Sequence, residues 1–229
     1  MLRTLAERLM RGRTVRRRLP NGVPILVSPD AQLKYLGHTF DADLVRVARE
    51  HVQPGAVVWD IGANCGVFAF SCNQASRVIA VEADPFLAQV LRRSTEANRA
   101  PVEVVNCAIA DSCGLASFSI ARRGRASNHL SQLPGHSQTG GERGRITVAT
   151  LTLDTLLSTD ALPQFVKIDV EGAEELVLRG SAETLRRARP LLWLETSKHS
   201  HEACKDILDA HGYRLEHGGG DNWLCRPER

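Results

Sequence analysis

The chain has no apolar run of about 18 residues, the length a helix needs to cross a bilayer, and no apolar stretch near its start that reads as the core of a signal peptide. None of its six cysteines (Cys65, Cys72, Cys107, Cys113, Cys204, Cys225) forms a C-x-x-C pair. A disulfide framework is therefore not expected, and the reading is a reducing, cytoplasmic setting with free thiols. A strong excess of one charge is missing too: the formal charge is +3 over 229 residues. That is too near balance to single out nucleic acid or anionic lipid as the main partner. There is also no internal repeat. What is present is 43% apolar residues, enough for one sizeable core and hardly for two full domains.

The first eighteen residues, MLRTLAERLMRGRTVRRR, set Leu2, Leu5, Leu9 and Met10 near helical spacing beside many arginines. Residues 1–40 are read as a basic helical segment and 41–229 as the main domain. Within that domain strand and helix alternate: a helix over 41–51, strands at 56–59 and 77–81, a helix over 85–98 opened by proline, and a strand at 102–105. Residues 121–145, between a short edge strand read at 117–120 and a strand at 146–148, are polar and nearly free of periodicity and are read as a long loop, with a ligand-closed lid as its functional version. Further on come strands at 164–170 and 191–195, a helix at 201–210, and a closing antiparallel pair at 213–215 and 223–225.

The stretch VVWDIGANCGVF ends a β-branched run in a glycine-spaced turn, which is how a parallel strand passes to a helix beside a ligand. A dinucleotide turn wants G-x-G-x-x-G, but counting from Gly62 the second position is Asn64 and the third Val67. A P-loop wants a Gly-Lys-Ser/Thr ending, and no lysine follows. A turn that allows close backbone approach without a phosphate nest fits S-adenosylmethionine. Asp60 is placed to meet its ammonium, and the amides at Gly62, Asn64 and Gly66 its carboxylate. Glu82, about 20 residues on at the next strand end, suits a ribose diol. Asn106 offers an amide to the adenine edge, with Ala83 and Cys107 as walls. Taken singly, each residue has turn or capping chemistry as its alternative.

The segments VWDIGANCGVFAF, VIAVEADP, NCAIAD, TLTLD and FVKIDVEGAEELVLRG, in that order, resemble the FkbM family of S-adenosylmethionine-dependent methyltransferases. The resemblance implies a doubly wound, seven-stranded, mostly parallel α/β sheet of the Rossmann-like class I methyltransferase kind, with an antiparallel closing strand. It also implies methyl transfer to an oxygen of a small molecule such as a sugar or natural-product intermediate. Where the family often carries Tyr-Glu ahead of the first strand, this chain has Phe40-Asp41.

Asp169 and Glu195 end neighbouring strands and are expected to face the transferred methyl group, as base and orienter or as ligands of a Mg²⁺ ion that acidifies the acceptor hydroxyl. Glu171 is read as a helix cap. His199 or His201 is an alternative general base, as is His129 in the long loop. Zinc at His199, His201 and Cys204 is set aside for want of a fourth ligand. The competing functions are an RNA or protein methyltransferase using the basic N-terminus, and a non-catalytic cofactor-binding module. The strand end Asp-Val-Glu-Gly lacks the Asn-Pro-Pro-aromatic motif of base methylation. A small-molecule acceptor is thus expected and no nucleic acid, while the oligomeric state is left open, a homodimer being the first form to test.

Overall fold

The computed structural model describes residues 9–37, 40–133, 140–159 and 162–228. It begins with an antiparallel hairpin, β1 (Val15–Arg18) and β2 (Pro24–Val27). This corrects the helical reading of 15–18; residues 1–8, which carry most of the expected basic helix, lie outside the described residues. The alternation of basic and half-buried residues in Val-Arg-Arg-Arg suits an edge strand, whose polar side faces water. Ile25 and Val27 are buried in the same core as the central sheet, so residues 19–35 are not separate from the main domain.

The chain continues through α1 (Ala42–His51) into β3 (Val57–Ile61), α2 (Val67–Ser71), β4 (Arg77–Val81), α3 (Pro85–Asn98) and β5 (Val102–Val105). The Asp84 carboxylate accepts the Phe86 amide at the start of α3, and Pro85 sits where its missing N–H costs nothing. Short β6 (Ala108–Ile109) leads to the long strands β7 (Gly114–Ala121) and β9 (Glu142–Leu151), with β8 (His129–Leu130) between them. These form a second, four-stranded sheet in the order β6-β9-β7-β8. The expected loop at 121–145 is therefore largely an excursion of this sheet, and its stretch 134–139 lies outside the described residues.

The remaining elements are β10 (Phe165–Ile168), α4 (Glu174–Arg179), β11 (Leu191–Glu195), α5 (His201–Ala210), β12 (Tyr213–Gly219) and β13 (Asn222–Pro227). The main sheet has seven strands in the order β12-β13-β11-β10-β3-β4-β5. β13 is antiparallel to both neighbours, and the pairs from β11 through β5 are all parallel. The antiparallel strand is thus inserted between β11 and β12 and does not form the edge.

Both sheet faces are covered, which explains the near-continuous apolar strands. Val58, Val78, Phe165 and Trp193 face one core, with Phe68, Phe70, Leu87 and Leu91. Trp59, Ile79, Val166 and Leu194 face the other, with Leu153, Val177 and Leu208. Each such side chain, fully buried, contributes about 1.5–3 kcal/mol relative to exposure. Asp60 and Lys167 break this apolar pattern and lie opposite each other in register. No helix among the described residues is long and apolar enough to cross a membrane, and the cysteines are free.

Candidate active site

Asp60 lies inside β3, one residue short of its end, and is wholly buried. Its Oδ2 accepts the Ala69 amide at 3.1 Å, in the first turn of α2, and its Oδ1 stands 3.3 Å from the Lys167 ammonium. That ammonium also lies 3.1 Å from Asp169 Oδ2 and donates to the Gly62 carbonyl at 3.1 Å. Burial works against the ammonium, but the charges of Asp169 and Asp60 outweigh it and leave the lysine pKa raised. Lys167 therefore ties the first strand-to-helix turn to the end of β10. The turn is close: a Cβ on Gly62 would stand 1.8 Å from the Asp169 carbonyl oxygen, and Gly62 has φ +78°. Only glycine allows the two strand ends to meet this way.

Two clefts open at this junction, beyond the carboxyl ends of the parallel strands, where ligands of open α/β sheets bind. The first, about 700 Å³ with its open mouth, is lined by Glu82, Ala83, Cys107, Leu87 and Phe118. One side is formed by Arg125 and Asn128 from the segment between β7 and β8. Glu82 Oε2 accepts the Asn64 amide at 2.7 Å and Oε1 the Asp84 amide at 2.8 Å. Burial still pushes its carboxyl up to about 7 against those two bonds. Asn64 has φ 52°, and its buried Oδ1 has no hydrogen-bond partner. A buried acid at one end, an orphaned amide oxygen at the turn and apolar walls between fit the diol, amino-acid and adenine parts of S-adenosylmethionine.

The second cleft, about 1100 Å³ with its mouth, is lined by Asp41, Asp43, Lys167, Trp193, Glu195 and Asn222, among others. Gln32, Gly62, Asn64, Asp169 and Glu171 line both clefts. Glu195 is held up to about 7, chiefly by the neighbouring Asp169 charge and then by burial. Burial first, and then the charges of Asp169 and Glu195, push Glu171 up to about 9.

The structure brings Gly62, Asn64, Glu82 and Ala83 to the first cleft and Asp169 and Glu195 to the second. Other expectations are corrected. Asp60 lines neither cleft, because it is committed to Ala69 and Lys167. Gly66, with φ +86°, starts α2 under Leu91 and Phe70 and does not line a cleft. Asn106 is exposed and donates to the Glu82 and Ala83 carbonyls, so its amide braces the loop that follows β4. His199 is exposed and lines neither cleft, His201 stacks on Trp223 at 4.5 Å, and the His129 ring faces the Ser127 carbonyl. Glu171 is no cap: Glu174 takes the Gly172 amide at 2.8 Å, while Glu171, at φ 55°, lines both clefts. Sequence reasoning missed that residue, together with Lys167, whose charge inside a buried strand was the available signal. For Mg²⁺ the fit is poor. Among the described residues no three His, Cys, Asp or Glu side chains converge as a metal seat, and a lysine ammonium already stands against Asp169.

The profile of the methyltransferase FkbM domain matches residues 60–215. The hexuronic acid methyltransferase AglP of Haloferax volcanii is 29% identical over 149 residues, 64% of this chain and 58% of that protein. Among solved structures, the methyltransferase FkbM from Methylobacillus flagellatus KT superposes with TM-score 0.51 at 20% identity, over 75% of this chain and 43% of that one. The T. thermophilus 16S rRNA N2 G1207 methyltransferase RsmC superposes with TM-score 0.54 at 13% identity, over 95% of this chain and 50% of that one. These structural likenesses concern the fold, and the chain spans little more than half, or less, of each relative.

Proposed function

The chain belongs to the methyltransferase FkbM family, and from that premise we propose that it transfers the methyl group of S-adenosylmethionine to a hydroxyl oxygen of a small molecule. The observation that carries this reading is the pair of clefts with a common wall at Gly62, Asn64, Asp169 and Glu171. One cleft has the walls a nucleoside needs and the other is polar, so donor and acceptor meet at the strand ends. S-adenosylmethionine, when bound, supplies an electrophilic methyl group on a sulfonium. The residues that would hold it are Glu82 for the ribose hydroxyls, Asn64 and the Gly62 backbone for the amino-acid part, and Ala83, Leu87 and Cys107 along the base.

The chain's own contribution is a base. An alcohol is a poor nucleophile until its proton is drawn off, and a positioned base contributes about 10² to 10⁴ in rate. Glu195, with its pKa near 7, is matched to that task at neutral pH. Asp169, anchored by Lys167, holds the negative field that keeps Glu195 basic. The relative named for hexuronic acid supports a sugar-like acceptor.

Calorimetric titration tests the donor half. The protein should bind S-adenosylhomocysteine, and Glu82→Ala should weaken that binding by about 1–3 kcal/mol through lost charge-assisted hydrogen bonds. Equal affinity in the variant removes Glu82 from the ribose role.

A further inference from the structure

Asp60 is turned away to Ala69 and Lys167, so the amino-acid end of S-adenosylmethionine, a carboxylate and an ammonium on one carbon, has to be received elsewhere. The turn after β3 gives the ligand a close wall, but the N–H groups expected to meet the carboxylate are engaged. The Gly62 and Ala63 amides both donate to the Val81 carbonyl, at 3.0 and 2.9 Å, the Asn64 amide to Glu82, and the Gly66 amide to the Ala63 carbonyl at 2.8 Å. Lys167 is committed to Asp60, Asp169 and the Gly62 carbonyl. Arg125, the basic residue on the first cleft, is tied to Asp30 and Asp84.

Two side-chain amides stand where those backbone groups do not serve. Asn64 lines both clefts, and its Oδ1 is buried without a hydrogen-bond partner. Gln32 lines both clefts as well. It precedes the short 3-10 turn Leu33–Leu36 in extended backbone, φ −146° and ψ 128°, and its side chain does not cap that turn. Its N–H donates to the Ser28 carbonyl at 3.3 Å and its C=O accepts the Tyr35 amide at 3.1 Å, while among the described residues no hydrogen bond reaches its carboxamide. The segment carrying Gln32 is clasped from the donor side. The Arg125 and Ala126 amides donate to the Asp30 and Ala31 carbonyls, and a Cβ on Gly124 would stand 2.6 Å from the Ala31 oxygen, so the two stretches meet backbone to backbone. Arg125 and Arg143 grip the Asp30 carboxylate in addition. Gln32 is thus held at the junction before a ligand arrives, which reduces the ordering cost of binding.

We propose, on the reading that the first cleft is the donor site, that Gln32 binds the amino-acid end of S-adenosylmethionine together with Asn64 and so sets the sulfonium at the wall between the clefts. An amide carries both a donor N–H and an acceptor C=O. Two amides on one wall supply N–H to a carboxylate and C=O to an ammonium, and add no net charge to a junction that already holds Asp169 and Glu171. Gln32 lies ahead of residues 60–215, the stretch that matches the family profile, so this contact comes from chain outside it.

Two probes titrated calorimetrically separate the outcomes: S-adenosylhomocysteine, which keeps the amino-acid end, and methylthioadenosine, which has the nucleoside and thioether and lacks it. A hydrogen bond to a charged group is worth about tenfold in affinity or more. The parent should therefore prefer S-adenosylhomocysteine by at least about tenfold. Gln32→Leu keeps the bulk and removes the amide; it should weaken S-adenosylhomocysteine about tenfold and leave methylthioadenosine within about twofold of the parent. A cleft that had merely loosened would weaken both alike. Gln32→Glu, which sets a carboxylate against the ligand's own, should weaken S-adenosylhomocysteine at least as far, and it decides alone if Gln32→Leu folds poorly and loses methylthioadenosine too. No preference in the parent, S-adenosylhomocysteine affinity in the variants within about twofold of the parent, or equal loss of both ligands in both variants overturns the proposal. The donor reading itself fails differently: there the parent binds neither probe, and this inference falls with it.

Discussion

Asp169 and Glu195 follow paired positions of β10 and β11, since Ile168 and Leu194 are partners in the parallel register and each acid comes next in its strand direction. Two carboxylates so placed cannot both ionise freely, and the pKa near 7 at Glu195 is the consequence. Turnover should therefore rise with pH through about 7, as Glu195 loses its proton and gains the power to take one. Asp169→Asn should lower the pH midpoint by removing the charge that raises it, and should cut kcat by about 10-fold or more. Glu195→Gln should cut kcat by about 10² and flatten the profile. A rate–pH curve for each variant, with cofactor binding confirmed, decides this. An unmoved midpoint in Asp169→Asn would detach the profile from this pair. The place of these two acids at neighbouring strand ends was legible in the sequence, because each follows an apolar run that reads as a buried strand. Glu171 was not, because the left-handed backbone that turns it into the clefts follows from the turn's tertiary setting and not from Asp-Val-Glu-Gly as a string. Asp60 was misplaced because the strand, read as ending at Trp59, runs two residues further, to Ile61. Its position inside β3 points it at α2 and Lys167, and the backbone of Gly62 and Asn64 is left to face the ligand.

Among the elements, the excursion between β7 and β9 is the one whose attachment governs the donor cleft. Arg125 bridges Asp30, at 2.8 Å, and Asp84, at 2.5 Å, and Arg143 donates to both Asp30 oxygens. Both acids are buried, so this network joins the N-terminal hairpin, the start of α3 and the second sheet across one side of the cleft. Removing one partner of a buried ion pair costs about 3–5 kcal/mol. Arg125→Ala should fall at or below the lower end of that range, since Asp84 keeps Asn128 and Asp30 keeps Arg143. The variant should also bind S-adenosylhomocysteine several-fold more weakly, because Arg125 and its neighbour Ala126 line the donor cleft. Limited trypsin digestion adds a readout: cleavage at the exposed Arg122 and Arg123 should slow with S-adenosylhomocysteine in the parent and speed up in the variant. Identical cutting in all four samples would reduce the segment to scaffold. The alternating strands and helices around it were readable from period and caps. The excursion was readable only at its two flanks, where the apolar stretches at 117–120 and 146–148 lie inside β7 and β9; the Gly-, Ser- and Arg-rich chain between them gave no period from which β8 or the start of β9 could be read. The hairpin at 15–27 was lost for the same reason, its arginines being equally at home on a helix.

Taken as a whole, the molecule is a sheet whose two apolar faces hold together a junction of acids that the fold alone does not favour. Glu82 and Glu195 at about 7 and Glu171 at about 9 all hold protons more tightly than in the unfolded chain, where a glutamate ionises near 4.5. Between those values unfolding releases protons, so the stability these groups contribute is intact below about pH 4.5 and drains away as pH rises toward 9. Asp30 acts in the opposite sense. Burial pushes it up, but Arg143 and Arg125 outweigh burial and leave it lowered, so its contribution is present above pH 3.8 and is lost in acid. The ligand-free protein should accordingly be most stable near pH 5, with a melting temperature that falls steadily toward pH 9. One carboxyl shifted this far is worth up to about 1.4 kcal/mol per pH unit across its window, and in a chain of this size each kcal/mol moves Tm by roughly 2–4 °C. Glu171→Gln keeps the shape of the protonated acid and removes its titration. It should raise Tm by several degrees at pH 8–9, leave it nearly unchanged at pH 5, and flatten the slope between. Scanning calorimetry of the parent and the variant across that range measures all three. If the two curves run parallel, Glu171 is ionised in the folded protein and the acid junction is balanced from within; if they converge toward pH 5 as expected, the fold carries a deficit of positive charge at the place where its two ligands meet.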